Sequence, residues 1–350
     1  MKKLYTLLAL TITFSMNAQL TTVTENGNTG QRLSTSNASN HGDIGSNAVD
    51  LSYSSGSSST RGATGGNAVA MGERTTASGS HSTAMGNDTT ASGVISTAMG
   101  SSSTASGTFS TAMGYDTTAS AINATAIGYE TTASGSYSTA IGFQSTASGS
   151  TSTAMGSYTT ASGSRSTAMG RYTTASDYAS TVIGQYNSSG SSATSASSFS
   201  TSAPAFVIGN GTASNARSDA FKVMFNGDAT VSNDLTVSGD VVISSDARLK
   251  SNIVSLGSTL PKLLQIDGKS YEMKGKQKIG VLAQDIKEVF PELVSEDDNE
   301  MLAVNYQGLV PVLINALKEQ QSEIDRLKKQ EKKINRLEKI LLKLTENYED

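Results

Sequence analysis

A mainly β chain is predicted: a narrow parallel β-roll rod, then a β-rich neck, then an α+β module ending in a coiled-coil helix. Three observations predict it. Met-Gly or Ile-Gly pairs recur at Met71, Met85, Met99, Met113, Ile127, Ile141, Met155, Met169 and Ile183, always 14 residues apart. Charge is segregated, with 17 of the 26 Lys+Arg and 18 of the 30 Asp+Glu lying from Val241 onward. Beyond Pro311, Leu and Ile fall at helical spacing between dense Lys and Glu.

The chain opens with Lys2 and Lys3, an apolar run from Leu4 to Phe14, and then Ser15-Met16-Asn17-Ala18 before Gln19. A basic start, a short apolar stretch and a small residue at the cut define a secretory signal peptide over residues 1–18. The run is too short to span a bilayer. The reading is therefore an exported protein, secreted or at the cell surface, with no transmembrane anchor and no lipid-bearing Cys. Residues 19–64 are polar and rich in Ser, Asn and Gly, and their structure is left open.

Residues 65–190 are the rod. A period of seven lies inside the 14: of the 17 positions from Gly72 to Gly184 in steps of seven, 15 are Gly, with Ala121 and Asp177 the exceptions. Two residues before each stands Ala, with Val182 the single exception, and one before that Thr, with Val69 the single exception. Gly at this density opposes a helix by roughly 1 kcal/mol each. Short strands ended by Gly turns, two per unit, give a β-roll instead. Nine coils stacked at about 4.8 Å make a rod about 40 Å long.

Side chains alternate along a strand, so Ala84 points opposite to Thr83 and Met85. The Ala columns occur in both halves of each unit and belong inside the coil. One outer sheet then carries Thr-x-Ser, as at Thr90-Ala91-Ser92 and at Ser78 and Ser106, and the other carries Thr-x-Met/Ile. A long exposed Met/Ile column calls for burial by self-association. The alternative, Met/Ile filling the interior of a monomeric rod, stays open at this point. Residues 191–244 form the neck: Phe206–Gly211 and Phe221–Asp228 read as strands ended by Asn-Gly turns, with Leu235–Val237 and Val241–Ile243 as two more.

The units Asn67-Ala68-Val69-Ala70-Met71-Gly72 and Ser138-Thr139-Ala140-Ile141-Gly142 resemble the head repeats of trimeric autotransporter (YadA-like) adhesins. The resemblance implies a trimeric left-handed parallel β-roll with three chains side by side, and a role in adhesion toward an unknown extracellular receptor, glycan or matrix ligand. Those adhesins end in a membrane β-barrel; here a different tail follows.

That tail, residues 245–350, follows Ser244 and opens with Ser245-Asp246-Ala247-Arg248-Leu249-Lys250, then carries Ile279–Ile286, Val289–Val294 and Ala303–Pro311. In this order the motifs resemble the intramolecular chaperone domain of endosialidases and phage tail spikes, peptidase family S74. The resemblance implies a chaperone that trimerises, assembles the β-rich fibre ahead of it and releases itself by autoproteolysis. It assigns a Ser-Lys dyad to Ser245 and Lys250, the scissile bond to Ser244–Ser245, and supporting contacts to Asp246 and Arg248. A serine with a lysine base is chemically sufficient for a single cut in cis. The final segment, about 312–346, reads as a coiled coil on Leu313, Leu317, Ile324, Leu327, Ile334, Leu337, Leu341 and Leu344, with a register slip near Glu331. Lys328, Lys329, Lys332 and Lys333 alternate with Glu and read as its solvated face rather than as a nucleic-acid contact.

Composition narrows the function. With no Cys, disulfides, thiol catalysis and Cys-ligated metals are excluded. The two histidines, His41 and His81, lie far from the tail, so no Ser-His-Asp triad is expected there. A net charge of -4 argues against nucleic acid. No cofactor and no metal is expected. The expectation is an exported trimeric fibre matured by a self-cleaving chaperone. An ice- or glycan-binding solenoid using the Thr/Ser array is the alternative. A glycan-cutting enzyme needs convergent carboxylates, and the repeats offer only Glu73, Asp88, Asp116 and Glu130.

Overall fold

The computed structural model describes residues 20–297 and 300–346; the expected signal peptide lies outside them. The chain divides into two compact units, residues up to 239 and residues from 240 onward.

The first unit is a parallel β-solenoid of about 11 turns. Each turn of the repeat uses one five-residue strand, such as Thr111–Tyr115, and one two-residue strand, such as Thr118–Ala119. Stacking is in register with a shift of one unit: Thr111 pairs with Thr125, Ala112 with Ala126, Met113 with Ile127, Gly114 with Gly128 and Tyr115 with Tyr129. The long strands belong to a 15-stranded sheet and the short ones to a nine-stranded sheet. Thr, with its branched Cβ, suits the extended backbone, and Gly ends each strand.

The interior follows the alternation. Ala84, Ala91, Ala98 and their copies are fully buried, whereas Met71, Met85, Met155 and Met169 are 37–40% exposed in the single chain. Met/Ile therefore lies outside, and the interior-filling alternative falls. A second inner column was not anticipated. The residue before each Thr, such as Ser82, Thr89, Ser96, Ser103 and Thr117, is also buried. Some of these hydroxyls link neighbouring coils: Thr117 Oγ1 donates to Ser103 Oγ at 2.8 Å, and Ser103 Oγ to the Gly114 carbonyl at 3.0 Å. Small side chains let the two sheets close on each other.

Glycine has two distinct jobs. In the long strands Gly72 to Gly184 hold φ between +94° and +136°. A Cβ on Gly114 would stand 1.9 Å from the Gly128 carbonyl oxygen in the next coil. The Gly column at the opposite turns has no such φ, and that is the column where Ala121 and Asp177 stand.

Both ends of the roll are closed. A hairpin, Leu20–Glu25 with Asn28–Leu33, turns on Asn26-Gly27, both at positive φ, and its second strand stacks parallel on Val49–Tyr53. The solenoid thus already runs through part of the segment whose structure the sequence left open. At the other end Pro204–Asn210 stacks parallel on Thr181–Gln185, followed antiparallel by Asp219–Met224 and Ala229–Val231. The buried Asn187 stands in for a backbone strand against the last short strand, accepting from Thr174 N–H at 2.8 Å and donating to the Thr174 carbonyl at 2.9 Å. Asp177 accepts from the N–H groups of Thr194 and Ser195, fixing the returning loop. Two expected neck strands do not form. Leu235–Val237 and Val241–Ile243 are exposed and irregular, and the three-residue strand Ala229–Val231 ends the sheet.

The second unit holds a hairpin (Lys269–Met273 with Lys276–Gly280), a smaller one (Val294–Glu296 with Leu302–Val304) and helices α1 (Leu260–Leu263), α2 (Ala283–Val289) and α3 (Leu309–Glu346). Its small core is Ile286, Phe290 and Val312. Glu319 ties α1 to α3, accepting from Thr259 N–H at 2.6 Å and Ser258 Oγ at 2.7 Å, which holds its carboxyl below the usual range. The apolar residues expected of a coil seam, Leu313, Leu317, Ile324, Leu327, Ile334 and Leu337, are exposed along one unbroken helix in the single chain.

Candidate functional site

The tail motif folds into a tight turn. Asp246 caps a 3₁₀ turn over Ala247–Leu249, accepting from Arg248 N–H at 2.8 Å. The Arg248 guanidinium forks onto the same carboxylate, with Nη2 to Oδ2 at 2.7 Å and Nε to Oδ1 at 3.0 Å. That side-chain pairing, and then the backbone bond, pull the Asp246 carboxyl below its ordinary value. The turn reverses the chain, so Lys250 comes back onto Ser245: Nζ donates to Oγ at 2.7 Å. Ser244, Ser245, Asp246, Arg248 and Lys250 are all exposed in the single chain. The five residues singled out by sequence are thus adjacent, with Asp246 and Arg248 building the turn that brings serine and lysine together.

At the opposite end of the chain the structure assembles a buried charged cluster that sequence reasoning missed. Arg32 donates to Glu25 at 2.7 Å and to Asp50 at 3.3 Å, and His41 Nδ1 lies 3.0 Å from Asp50 Oδ2. Ser52 Oγ donates to Asp50 Oδ1 at 2.6 Å. Burial pushes the Asp50 carboxyl up, but the hydrogen bonds from His41 and Ser52 outweigh it and hold the group below its ordinary value. Ser52, His41 and Asp50 superficially suggest a catalytic triad. Serine and aspartate approach the same imidazole nitrogen, however, whereas a relay needs one on each. The cluster sits at the hairpin end of the roll and is not arranged as such a relay. A signal was present in the sequence: acidic and basic residues at strand positions inside an otherwise neutral stretch.

Along the rod, the tip acids form ladders between coils instead of a catalytic pair. Asp88 is bound by Arg74 at 2.9 Å, Glu73 by Asn87 at 3.1 Å and Glu130 by Gln144. Tyr115, Tyr129 and Phe143 stack at 4.9 and 5.0 Å, and Tyr158, Tyr172 and Tyr186 continue at 4.4 and 4.7 Å. The face of the short sheet is Thr and Ser alone. No group of three or more His, Asp or Glu among the described residues is placed to hold a metal ion. No helix among them is long and apolar enough to cross a membrane.

A coiled β-roll with an outward Met/Ile column, followed by a small α+β unit with a long helix, defines a repeat fibre joined to an assembly module. Comparison with known families gives both parts names. Residues 63–89 and, in overlapping two-coil windows, 91–187 match the YadA head domain repeat. Residues 245–295 match the chaperone of endosialidase. The chain therefore carries YadA-type head repeats followed by an endosialidase-type chaperone segment. No curated protein sequence matches it.

Proposed function

We propose that this is an exported, homotrimeric, adhesin-like fibre whose tail, from Ser245 on, gathers three chains, assembles the rod and is then released by its own Ser245–Lys250 dyad. The observation that carries the reading is the 2.7 Å approach of Lys250 Nζ to Ser245 Oγ at the first residue of the chaperone match. Trimerisation rests on the YadA-type repeats and on two exposed apolar stripes, Met/Ile on the rod and Leu/Ile on α3. A coil that collects chains early has physical value, because non-local β-pairing is slow and exposes sheet edges meanwhile.

The chemistry is a single turnover. Ser245 Oγ adds to the carbonyl carbon of Ser244 while Lys250 Nζ takes the hydroxyl proton. Lys250 returns that proton to the departing amide nitrogen of Ser245, leaving an ester between Ser244 and the Ser245 oxygen. One water hydrolyses the ester, giving a carboxylate on Ser244 and a free hydroxyl and amine on Ser245. Attack on the adjacent carbonyl is intramolecular, so little translational entropy is lost. Assembly enters through Lys250, because burying an amine against neighbouring chains favours the neutral form that a base requires.

The test is refolding of full-length Ser245→Ala, Lys250→Ala and wild type over a range of chain concentrations. Cleavage that accelerates with concentration in wild type and is absent in both variants supports the reading. Cleavage at a rate independent of concentration, or persisting in either variant, overturns it. The uncharged Thr/Ser face of the short sheet favours a second reading of the rod, as a surface for ice or glycan; thermal hysteresis by the purified rod would support the ice form, and its absence removes it.

A further inference from the structure

The long strands of the roll carry apolar residues at both ends on the same levels. Phe109, at positive φ, leads into the strand that ends with Tyr115, and Tyr137 leads into the strand that ends with Phe143. All four are exposed in the single chain, at 51%, 49%, 59% and 39%. Tyr129 ends the strand between them and Ile122 precedes it, both also exposed. The stacking of Tyr115, Tyr129 and Phe143 turns their faces toward one another, with interplanar angles of 12° and 6°, so their rims point outward. Ring rims pack well on ring faces.

Symmetry states what covers them. The strands of this sheet run parallel from coil to coil. If three copies place this sheet toward a common axis, a pure rotation keeps the sense in which strands circulate. The end of each strand then faces the start of the strand at the same level in the next copy, a heterologous contact that closes after three. Resting on the trimer reading above, we propose that the rod is sealed between copies by an aromatic seam, Phe109 against Tyr115 of the next copy and Tyr137 against its Phe143, with the Tyr129 rim between. The occupant of both edges is a second copy of this chain, because at the Phe109/Tyr115 and Tyr137/Phe143 levels both edges carry an exposed aromatic ring. The pattern ends at the polar Thr151 and Ser157; one coil further on, Arg165 and Arg171 are both engaged within their own chain, Arg165 by the Tyr178 hydroxyl and Arg171 over the Tyr172 and Tyr186 rings.

The chain has no native Cys, which makes the test clean. Full-length Phe109→Cys/Tyr115→Cys is purified reduced, sized by light scattering, oxidised or treated with a short thiol-specific cross-linker, and run in denaturant. Within one chain the strand Thr111–Tyr115 that separates the two sites spans about 13 Å by itself, far beyond the roughly 4.4–6.8 Å Cα separation a disulfide allows. The seam predicts conversion of most of the protein to a covalent trimer, with neither single variant cross-linking. A trimer by light scattering that gives no covalent trimer overturns the seam and leaves the trimer reading standing. A monomer by light scattering overturns both. Thr151→Cys/Ser157→Cys, which replaces two small polar residues at the same edges, repeats the test without removing an aromatic ring.

Discussion

Replacing Gly114 by Ala tests how the coils stack. Gly114 has φ +134°, and an added Cβ would lie 1.9 Å from the Gly128 oxygen and 2.9 Å from its carbon. Real Cβ contacts do not fall below 3.0 Å, so the next coil must retreat by about 1 Å from a spacing of about 4.8 Å. Backbone strain of about 1–3 kcal/mol, overpacking of about 1–3 kcal/mol and a weakened ladder bond of about 1 kcal/mol together give roughly 3–7 kcal/mol. Gly135 belongs to the other column and lacks the positive φ, but an added Cβ there would also stand 2.0 Å from the Gly149 oxygen, so Gly135→Ala costs the overpacking and the weakened ladder bond without the backbone strain, about 2–4 kcal/mol. The assay is the urea midpoint of each variant at one fixed chain concentration, since oligomers unfold with mass action. Gly114→Ala is expected to be the less stable by the backbone strain alone, about 1–3 kcal/mol. Equal losses, or a milder effect at Gly114, would refute the argument from φ.

Two further outcomes follow from the caps. Asn187→Ala leaves the Thr174 N–H and carbonyl without partners at the end of the short sheet, at a cost of about 2–4 kcal/mol; amide exchange at Thr174 should accelerate while the middle coils stay protected. Asp50 has a folded pKa below its ordinary 3.8, held there by His41 and Ser52 against burial. Its stabilisation is therefore complete above that value and is lost as pH falls through the lower folded value. Melting temperature should drop more steeply below about pH 4 in wild type than in Asp50→Asn, which should already be about 3 kcal/mol weaker at neutral pH because Arg32 loses a buried partner; parallel pH profiles would contradict the assignment.

The rod was legible because its period is a direct image of its geometry. Fourteen residues per coil put Ala84 under Ala98 and Met85 under Met99; alternation set Ala opposite Met, its recurrence in both half-units favoured Ala inside, and the burial of the Ala columns decided between the two readings. The buried Ser/Thr column obeys the same alternation one step earlier in the chain; polarity disguised it, since Ser82 is read as surface until both sheets are seen to close over it. The caps were harder. Arg32 meets Glu25 and Asp50 through pairings between a hairpin and a coil, and no local pattern encodes such contacts. At the dyad, sequence supplied the residues, while the turn that joins them came from the Asp246 cap and the Arg248 fork. The strands expected at Leu235–Val237 and Val241–Ile243 have the right residues, but the sheet ends at Ala229–Val231, which local pattern cannot reveal.

The most direct measurement is native mass spectrometry of the purified protein. The account predicts a trimer of chains that all end at Ser244, together with a separate fragment Ser245–Asp350, and an uncut trimer for Ser245→Ala. A monomeric rod, or a wild-type trimer that retains every residue to Asp350, would contradict it.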